Sequence, residues 1–271
     1  MKDIRTNNVE RFARYGMLYD QNRPIPPNIV VKMLTRYFGE EPERVLDVGC
    51  GTGLSSFIWL DNAKEIIGVE PNDDMRQVAM ANWQAQQGPE NLRFVKGLSY
   101  QLEFEADTVD IITCSQSFHW MDPQPTLHEF ARVLRPGGVF AAYDCDWPPS
   151  FTKEIEEGYK NLIDLADGRV KELSSADGLA YKWKKDEHLQ QIRNSGLFSF
   201  SKEIVFHHRE ICDASRYSNI ALSQGGVQTA LKLGAEDLRP AISKFQEQVE
   251  EAFNGQPQEI IFSYRMRLGI K

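Results

Sequence analysis

Short apolar runs alternate with longer amphipathic segments through the first half of the chain. Five runs rich in Val, Ile, Leu or Phe are bounded by Gly, Asp or Pro and predict strands at Arg44 to Val48, Glu65 to Glu70, Leu92 to Lys96, Val109 to Cys114 and Val139 to Tyr143. The segments between them predict helices at Gly53 to Leu60, Asp73 to Gln84 and Thr126 to Leu134. Such βαβ alternation indicates a parallel sheet covered by helices on both faces.

The pattern changes after Trp147-Pro148-Pro149. The next forty or so residues have a helical period, a strand signal returns at Glu203 to His208, and a second helical stretch runs from about Ala214 to Phe253 with an interruption near Gly234. A last strand is predicted at Glu259 to Leu268. We therefore expect an α/β, Rossmann-like seven-stranded sheet with helical insertions. The organisation we expect is a single domain over 1–271, with a core at about 30–145 and insertions at about 148–195 and 213–255 that fold over the sheet as a cap or cross its edge.

A glycine-rich loop directly after the first predicted strand carries the main chemical signal. Val45-Leu46-Asp47-Val48-Gly49-Cys50-Gly51-Thr52-Gly53 lets the backbone approach a ligand closely, because glycine lacks Cβ and tolerates positive φ. Glu70 ends the second strand, where a carboxylate can accept both hydroxyls of a ribose. The spacing is Gly-x-Gly-x-Gly rather than that of a dinucleotide fingerprint, and Asp47 suits a cationic ammonium or its surrounding waters better than a diphosphate.

Three motifs in order resemble the class I S-adenosylmethionine-dependent methyltransferases: Leu46-Asp-Val-Gly-Cys-Gly-Thr-Gly53, Gly68-Val-Glu-Pro71 and Arg132-Val-Leu-Arg-Pro-Gly-Gly138. The resemblance implies a sheet whose last strand is antiparallel, and S-adenosyl-L-methionine as cofactor with S-adenosyl-L-homocysteine as product. It assigns the methionine end of the cofactor to Asp47, Gly49, Cys50 and Gly51, the ribose to Glu70, and the adenine to Pro71, Asn72 and Met75.

Two further loops complete the site that the resemblance implies. After the third strand, Gly97-Leu98-Ser99 has Leu98 where an adenine-binding acid is common, so the backbone of Leu98 and Ser99 is expected to hold the adenine. After the fourth, Cys114-Ser-Gln-Ser-Phe-His-Trp-Met-Asp122 resembles the methyltransferase type 11 or trans-aconitate methyltransferase-like group. It places Ser115 and Gln116 beside the sulfonium, and His119 and Trp120 on the far wall, where Trp120 and His119 could equally be packing residues.

The N-terminal segment Tyr15-Gly-Met-Leu-Tyr19-Asp-Gln-Asn-Arg23-Pro24 is similar to the segment that closes over the cofactor in this group. Tyr19 and Arg23 could meet the cofactor carboxylate or an acidic substrate. The spacing of Tyr15 and Tyr19 is also that of one helix face, and Arg23 could be an ordinary surface residue.

Composition narrows the class of partner. With 31 basic and 39 acidic residues the net charge is −8, which disfavours nucleic acid and anionic membranes as partners. The four cysteines are far apart and no zinc spacing occurs, so no metal is expected. The N-terminus lacks the apolar run of a signal peptide and no run is long enough to span a bilayer, so a cytoplasmic location is expected.

These observations predict a methyltransferase that acts on a small molecule. A carboxylate acceptor would be ionised and need only positioning, for which Arg23 is a candidate, whereas a hydroxyl or amine would benefit from His119 as a catalytic base. We favour O-methylation of a small acid. The alternatives are a nicotinamide-dependent oxidoreductase, which shares the glycine loop and the acidic ribose ligand, and a non-catalytic protein that binds S-adenosylmethionine.

Overall fold

Seven strands form one sheet in the computed structural model, which describes residues 8, 9, 20, 22–174 and 181–271. The strands are β1 Arg44–Val48, β2 Glu65–Val69, β3 Leu92–Val95, β4 Val109–Ser115, β5 Leu134–Ser150, β6 Phe200–Cys212 and β7 Gln258–Ile270. Their spatial order is β3-β2-β1-β4-β5-β7-β6. The first five strands pair in parallel, and β7 runs antiparallel to both β5 and β6. The predicted Rossmann-like sheet with an antiparallel last strand is confirmed.

Helices cover the sheet and build the insertions. They are α1 Ile29–Phe38, α2 Asp73–Ala85, α3 Pro123–Val133, α4 Lys153–Leu173, α5 His188–Asn194, α6 Ala214–Leu222, α7 Gly225–Lys232 and α8 Leu238–Phe253. Asn72 caps α2 by accepting the N–H of Met75 at 3.0 Å. The break predicted near Gly234 separates α7 from α8, and Gly234 has φ +86° there.

The prediction of a helix at Gly53 to Leu60 is wrong. The segment forms successive turns and a single 3₁₀ turn at Phe57–Trp59. Its backbone hydrogen bonds mostly span three residues, such as that from the N–H of Ser56 to the carbonyl of Gly53 at 2.8 Å. The hydroxyls of Ser55 and Ser56 both donate to Asp47 beneath the loop. These side-chain bonds hold the chain close to the end of β1 and favour the tighter turns.

Alternate residues of each central strand pack on opposite faces of the sheet. Leu46 and Ile112 belong to one buried cluster with Phe130 and Phe140, whereas Val45 belongs to the other cluster with residues such as Trp59 and Ile111. A third apolar cluster joins the insertions to the sheet, with the fully buried aromatic rings of Tyr159, Tyr217, Phe245 and Phe253 grouped with Phe262 of β7. Each such side chain contributes about 1.5–3 kcal/mol by leaving water, so the insertion helices are firmly packed onto the sheet.

Two strands run well beyond their predicted bounds. β6 spans Phe200–Cys212 where Glu203 to His208 was predicted. β5 continues past Tyr143 to Ser150, and β7 pairs with it as far as Ile261. This extension carries Trp147 and the base of the first insertion toward the carboxyl ends of the parallel strands. In the part of the chain that the structure describes, no helix is long and apolar enough to cross a bilayer.

Candidate active site

A cleft of about 280 Å³ opens at the carboxyl ends of the parallel strands. Chain order reverses between β1 and β4, and open α/β sheets place their ligand sites at such a switch point. The walls come from the loops after β1, β2, β3 and β4 on one side. On the other side they come from the insertions, through Ile163 and Asp167 of α4 and the segment 223–228.

The glycine loop after β1 forms the floor of the cleft. Gly49 and Gly51 have φ of +71° and +57°, and the N–H of Gly49 donates to the carbonyl of Val69 at 2.8 Å. A Cβ on Gly49 would lie 2.7 Å from Cβ of Ser117, which real side chains do not tolerate. Both backbone conformation and space therefore require glycine at position 49.

Asp47 was expected to line the methionine end of the cofactor, but it lies beneath this loop and does not line the cleft. Its carboxylate is fully buried and accepts hydrogen bonds from Ser55 (2.6 Å), Ser56 (2.7 Å) and Thr113 (3.1 Å). Burial raises its pKa, and these three hydroxyls oppose that rise. Its observed role is to anchor the loop to β1 and β4.

Glu70 does line the cleft, at the end of β2. One carboxylate oxygen accepts a hydrogen bond from the N–H of Gly51 at 2.9 Å, and the other accepts one from the N–H of Asn72 at 2.8 Å. These bonds fix the carboxylate between the loop after β1 and the loop after β2, in the wall of the cleft. Burial raises its pKa to about 7, against the lowering effect of those two hydrogen bonds. Each carboxylate oxygen can accept a second hydrogen bond, so the group can take a pair of donors from a ligand in the cleft.

The residues after β2 and β3 form the next part of the wall. Pro71, Met75, Gly97, Leu98 and Ser99 line the cleft, and the Ser99 hydroxyl is hydrogen-bonded to Thr126 at 2.8 Å. Asn72 does not line it. Its amide donates to the carbonyl of Val9 at 2.9 Å and its oxygen caps α2, so its part in the site is to join the N-terminal segment to α2.

The loop after β4 brings Ser115, Gln116, His119 and Trp120 to the cleft. Gln116 has φ +51°, and its side-chain oxygen accepts a hydrogen bond from the indole N–H of Trp147 at 3.3 Å. A non-glycine residue in this region of φ marks a locally constrained backbone. The constrained turn connects the floor of the cleft to the beginning of the first insertion.

His119 is buried and faces a buried carboxylate. Its Nδ1 lies 3.4 Å from Oδ1 of Asp144, and the same oxygen lies 2.7 Å from Nζ of Lys185. Burial lowers the pKa of His119 to about 3, which outweighs the opposite effect of Asp144. Burial would raise the pKa of Asp144, but Lys185 and His119 hold it below its usual value. His119 is therefore uncharged at neutral pH and only weakly basic.

At the insertion end, Arg23 is 8% exposed and packs over the Trp147 ring, with its guanidinium carbon 4.8 Å from the ring centroid. It donates to the carbonyl of Ser223 at 3.2 Å and to the side-chain oxygen of Gln224 at 3.1 Å. Gln224 in turn donates to the hydroxyl of Tyr159 at 2.6 Å, which fixes the orientation of its amide. The structure thus groups Arg23 with the insertions and not with the glycine loop.

Sequence reasoning missed several residues of this site. Trp147 and Gln224 position Arg23, and Asn8 ties the N-terminal segment to both sides of the cleft. The Asn8 amide donates to the carbonyls of Trp120 (2.8 Å) and Tyr181 (2.9 Å), and its oxygen accepts the N–H of Tyr181 (2.8 Å). None of these residues belongs to a recognisable motif, because the contacts that bring them into the site join segments far apart in the chain, such as Asn8 and Trp120, which are 112 residues apart.

Most of the predicted binding residues converge on the cleft. Those that line it are Arg23, Gly49, Cys50, Gly51, Glu70, Pro71, Met75, Gly97, Leu98, Ser99, Ser115, Gln116 and Trp120, together with His119. Tyr19 lies outside the described residues. In residues 8, 9, 20, 22–174 and 181–271, no cluster of three or more His, Cys, Asp or Glu is placed to hold a metal ion.

Comparison with known proteins agrees with this geometry. A family profile described as a methyltransferase domain matches residues 46–142. The chain is 32% identical over 198 residues to the uncharacterized methyltransferase YcgJ of Bacillus subtilis, an alignment that covers 68% of this chain and 78% of YcgJ. It is 25% identical over 124 residues to the probable S-adenosylmethionine-dependent methyltransferase CRG1 of Saccharomyces cerevisiae, covering 45% of this chain and 43% of CRG1.

Solved structures show the same fold. The crystal structure of YcgJ superposes with a TM-score of 0.56 at 23% identity and covers 90% of this chain and 96% of that one. A putative type II methyltransferase from Anaeromyxobacter dehalogenans superposes with a TM-score of 0.66 at 17% identity, covering 92% and 97%. The chain belongs to the class I S-adenosylmethionine-dependent methyltransferases, and its cofactor is S-adenosylmethionine.

Proposed function

We propose that this methyltransferase esterifies a carboxylate oxygen of a small organic acid, which binds at the Arg23 end of the cleft. The observation that carries the proposal is the Arg23 guanidinium, which is buried against Trp147 and held by Ser223 and Gln224 in the wall that the insertions add. A guanidinium is the side chain best suited to bind a carboxylate with paired hydrogen bonds. In this assignment the insertions at about 148–195 and 213–255 act as a cap that recognises the acceptor.

The glycine-loop end fits the cofactor chemically. The Glu70 carboxylate, fixed by two backbone donors, matches the hydroxyl pair of a ribose, and the absence of Cβ at Gly49 and Gly51 lets a ligand lie close to the backbone. We assign the methionine end to Gly49, Cys50 and Gly51. The adenine end is assigned to Pro71, Met75, Gly97, Leu98 and Ser99, and the sulfonium end to Ser115, Gln116 and Trp120.

The cofactor supplies a methyl group on an already activated sulfonium, so the protein's task is alignment and exclusion of water. Arg23 would orient an ionised acid, and the half-buried rings of Trp120 and Trp147 would limit water at the reacting end. His119 is a poor base, because burial lowers its pKa to about 3. A carboxylate is ionised at neutral pH and needs no base, whereas a hydroxyl acceptor would need one.

The test is to incubate the protein with S-adenosylmethionine labelled in its methyl group and a panel of small mono-, di- and tricarboxylic acids, together with small alcohols, phenols and amines that carry no carboxyl group. A methyl ester is hydrolysed in dilute alkali and releases labelled methanol, whereas a methyl ether or a methylamine is stable. Alkali-labile product from at least one acid is the expected result. Label that appears only in alkali-stable products, from hydroxyl or amine compounds in the same panel, would refute carboxylate methylation.

A further inference from the structure

The two edges of the sheet differ greatly in length. β3 at one edge has four residues, Leu92–Val95, whereas β6 at the other has thirteen, Phe200–Cys212. Among the described residues β6 pairs with β7 alone, so the backbone groups on its outer side have no strand partner. Long free edges are templates for pairing with another strand, and proteins usually shorten or cover them.

The side chains of β6 also suit contact with another molecule. Three large apolar residues of the strand are well exposed, Phe200 at 43%, Val205 at 48% and Ile211 at 68%. From Val205 to Ile211 the exposed positions alternate with half-buried ones such as Phe206, which packs against the sheet's apolar clusters. One face of the strand is thus fixed by the fold, while the outer edge and the other face remain accessible.

We propose that β6 pairs in antiparallel fashion with β6 of a second copy of this chain, about a two-fold axis at Phe206, so that the two sheets become one. In this pairing Val205 lies opposite His207 of the second copy, and each residue opposes the one equally far beyond Phe206. Such a two-fold interface uses the same strand from both copies and therefore closes on itself.

The charged side chains of β6 favour a second copy as the partner and favour one register of pairing. With the axis at Phe206, Lys202 lies opposite Glu210 of the second copy and Glu203 lies opposite Arg209 of the second copy, and symmetry repeats both pairs. Opposed charges directly across antiparallel strands stabilise the pair. The strand is therefore complementary to itself, which distinguishes a second copy from an unrelated strand.

Neighbouring registers lose this match. An axis at Val205 would set Lys202 against His208 of the second copy, and an axis at His207 would set it against Cys212 and set Glu203 against Ile211. The two carboxylates are already held in place within the chain, Glu203 by Arg267 at 2.8 Å and Glu210 by Arg216. Because the side chains of Glu203 and Glu210 are already ordered, they lose little conformational entropy when a second copy binds.

The first experiment is sedimentation velocity of the full chain over a wide range of concentrations, with the variants Lys202→Glu and Arg209→Glu. Each substitution turns two symmetry-related attractions into repulsions, so we expect the dimer to dissociate at least tenfold more readily. Lys160→Glu on α4 is the matched control, because it makes the same charge change on an exposed helix position. Binding of S-adenosylhomocysteine by all three variants checks that they are folded.

The second experiment tests the register. Val205→Cys and His207→Cys chains are mixed and oxidised, and the proposed pairing places these two positions directly opposite each other, close enough for a disulfide. The four native cysteines are buried. A 205–207 cross-link in the mixture supports the proposal. A chain that is monomeric at all concentrations, a dimer indifferent to both charge reversals, or a mixture without this cross-link would overturn it.

Discussion

The two ends of the cleft are built in different ways. The glycine-loop end comes from one continuous stretch, since Gly49, Gly51 and Glu70 follow neighbouring strands and the hydrogen bond from Gly51 to Glu70 spans 19 residues. The insertion end is assembled from distant segments, as the bond from Arg23 to Gln224 spans 201 residues. A ligand common to a large family can be served by local backbone geometry, whereas a particular acceptor is recognised by side chains that the fold brings together.

This contrast implies that substitutions at the two ends should have separable effects. Changes at the glycine loop and Glu70 should alter cofactor binding, and changes around Arg23 should alter acceptor kinetics. Substitutions at Gly49, Arg23, Glu70 and His119 test that separation, and the size of the expected effect decreases in that order.

The largest effect is expected at Gly49. Gly49→Ala places a Cβ 2.7 Å from Cβ of Ser117 at a φ of +71°, so the loop must move out of the cofactor end of the cleft. We expect S-adenosylhomocysteine to bind about 30-fold or more weakly in calorimetric titration, equivalent to about 2 kcal/mol. Gly39→Ala is the control, because Gly39 has φ +99° with nothing within 4 Å of its Cβ position and lies outside the cleft. Equal losses in both variants would contradict the local argument.

The second largest effect is expected on acceptor binding, from substitution of Arg23. Arg23→Met keeps most of the side chain's apolar length but removes its charge, so KM for an acid substrate should rise about 10- to 100-fold, as expected for a charged hydrogen-bonded contact. Affinity for S-adenosylhomocysteine should change little, because Arg23 contacts Trp147, Ser223 and Gln224. Arg36→Met on α1 makes the same change at an exposed position outside the cleft. If Arg23→Met instead weakened binding of S-adenosylhomocysteine, Arg23 would be a cofactor-binding residue and the assignment to the acceptor would be wrong.

Glu70 should make cofactor binding depend on pH. Burial raises its pKa to about 7, so below that pH a growing fraction of the free protein carries a protonated carboxyl group. Ribose hydroxyls that donate to the carboxylate favour its ionised form, so affinity should be constant well above pH 7 and fall as the pH is lowered, by at most about tenfold per pH unit. Titration calorimetry at several pH values measures this. Glu70→Gln should bind more weakly and without the pH dependence, and an unchanged dependence would assign the proton to another group.

The smallest effect is expected from His119. Its pKa of about 3 means that it stays uncharged from pH 5 to pH 8 and acts as a packing and orienting residue beside Asp144. With both substrates saturating, His119→Gln should change kcat only about two- to fivefold, consistent with the loss of a neutral contact. The shape of the pH profile should be the same in both proteins. If the plot of kcat against pH had an inflection near neutral pH that disappeared in the variant, His119 would be a catalytic base.

Much of the fold and of the cofactor end followed from local pattern. The strand periods and the apolar alternation of the last strand predicted the sheet. Most of the site residues that the glycine loop, Glu70 and the family resemblance predicted do line the cleft. Local pattern failed at Gly53 to Leu60, where side-chain bonds from Ser55 and Ser56 to Asp47 replaced a predicted helix with tight turns. It also placed Asp47 in the cleft, because sequence shows which side chain is near a loop but not which side of the loop it occupies.

The class of protein could be read from the amino-acid sequence, because three motifs in order resemble those of the methyltransferases and because the conformation at Gly49 and Gly51 depends on neighbours along the chain. What lies across the cleft from these residues depends on the tertiary fold. Arg23 meets Trp147 and Gln224, and His119 meets Asp144 and Lys185, through contacts between segments that no spacing rule relates. Burial then decides their chemistry, since the same histidine that would titrate near neutrality in water is kept uncharged by removal from solvent.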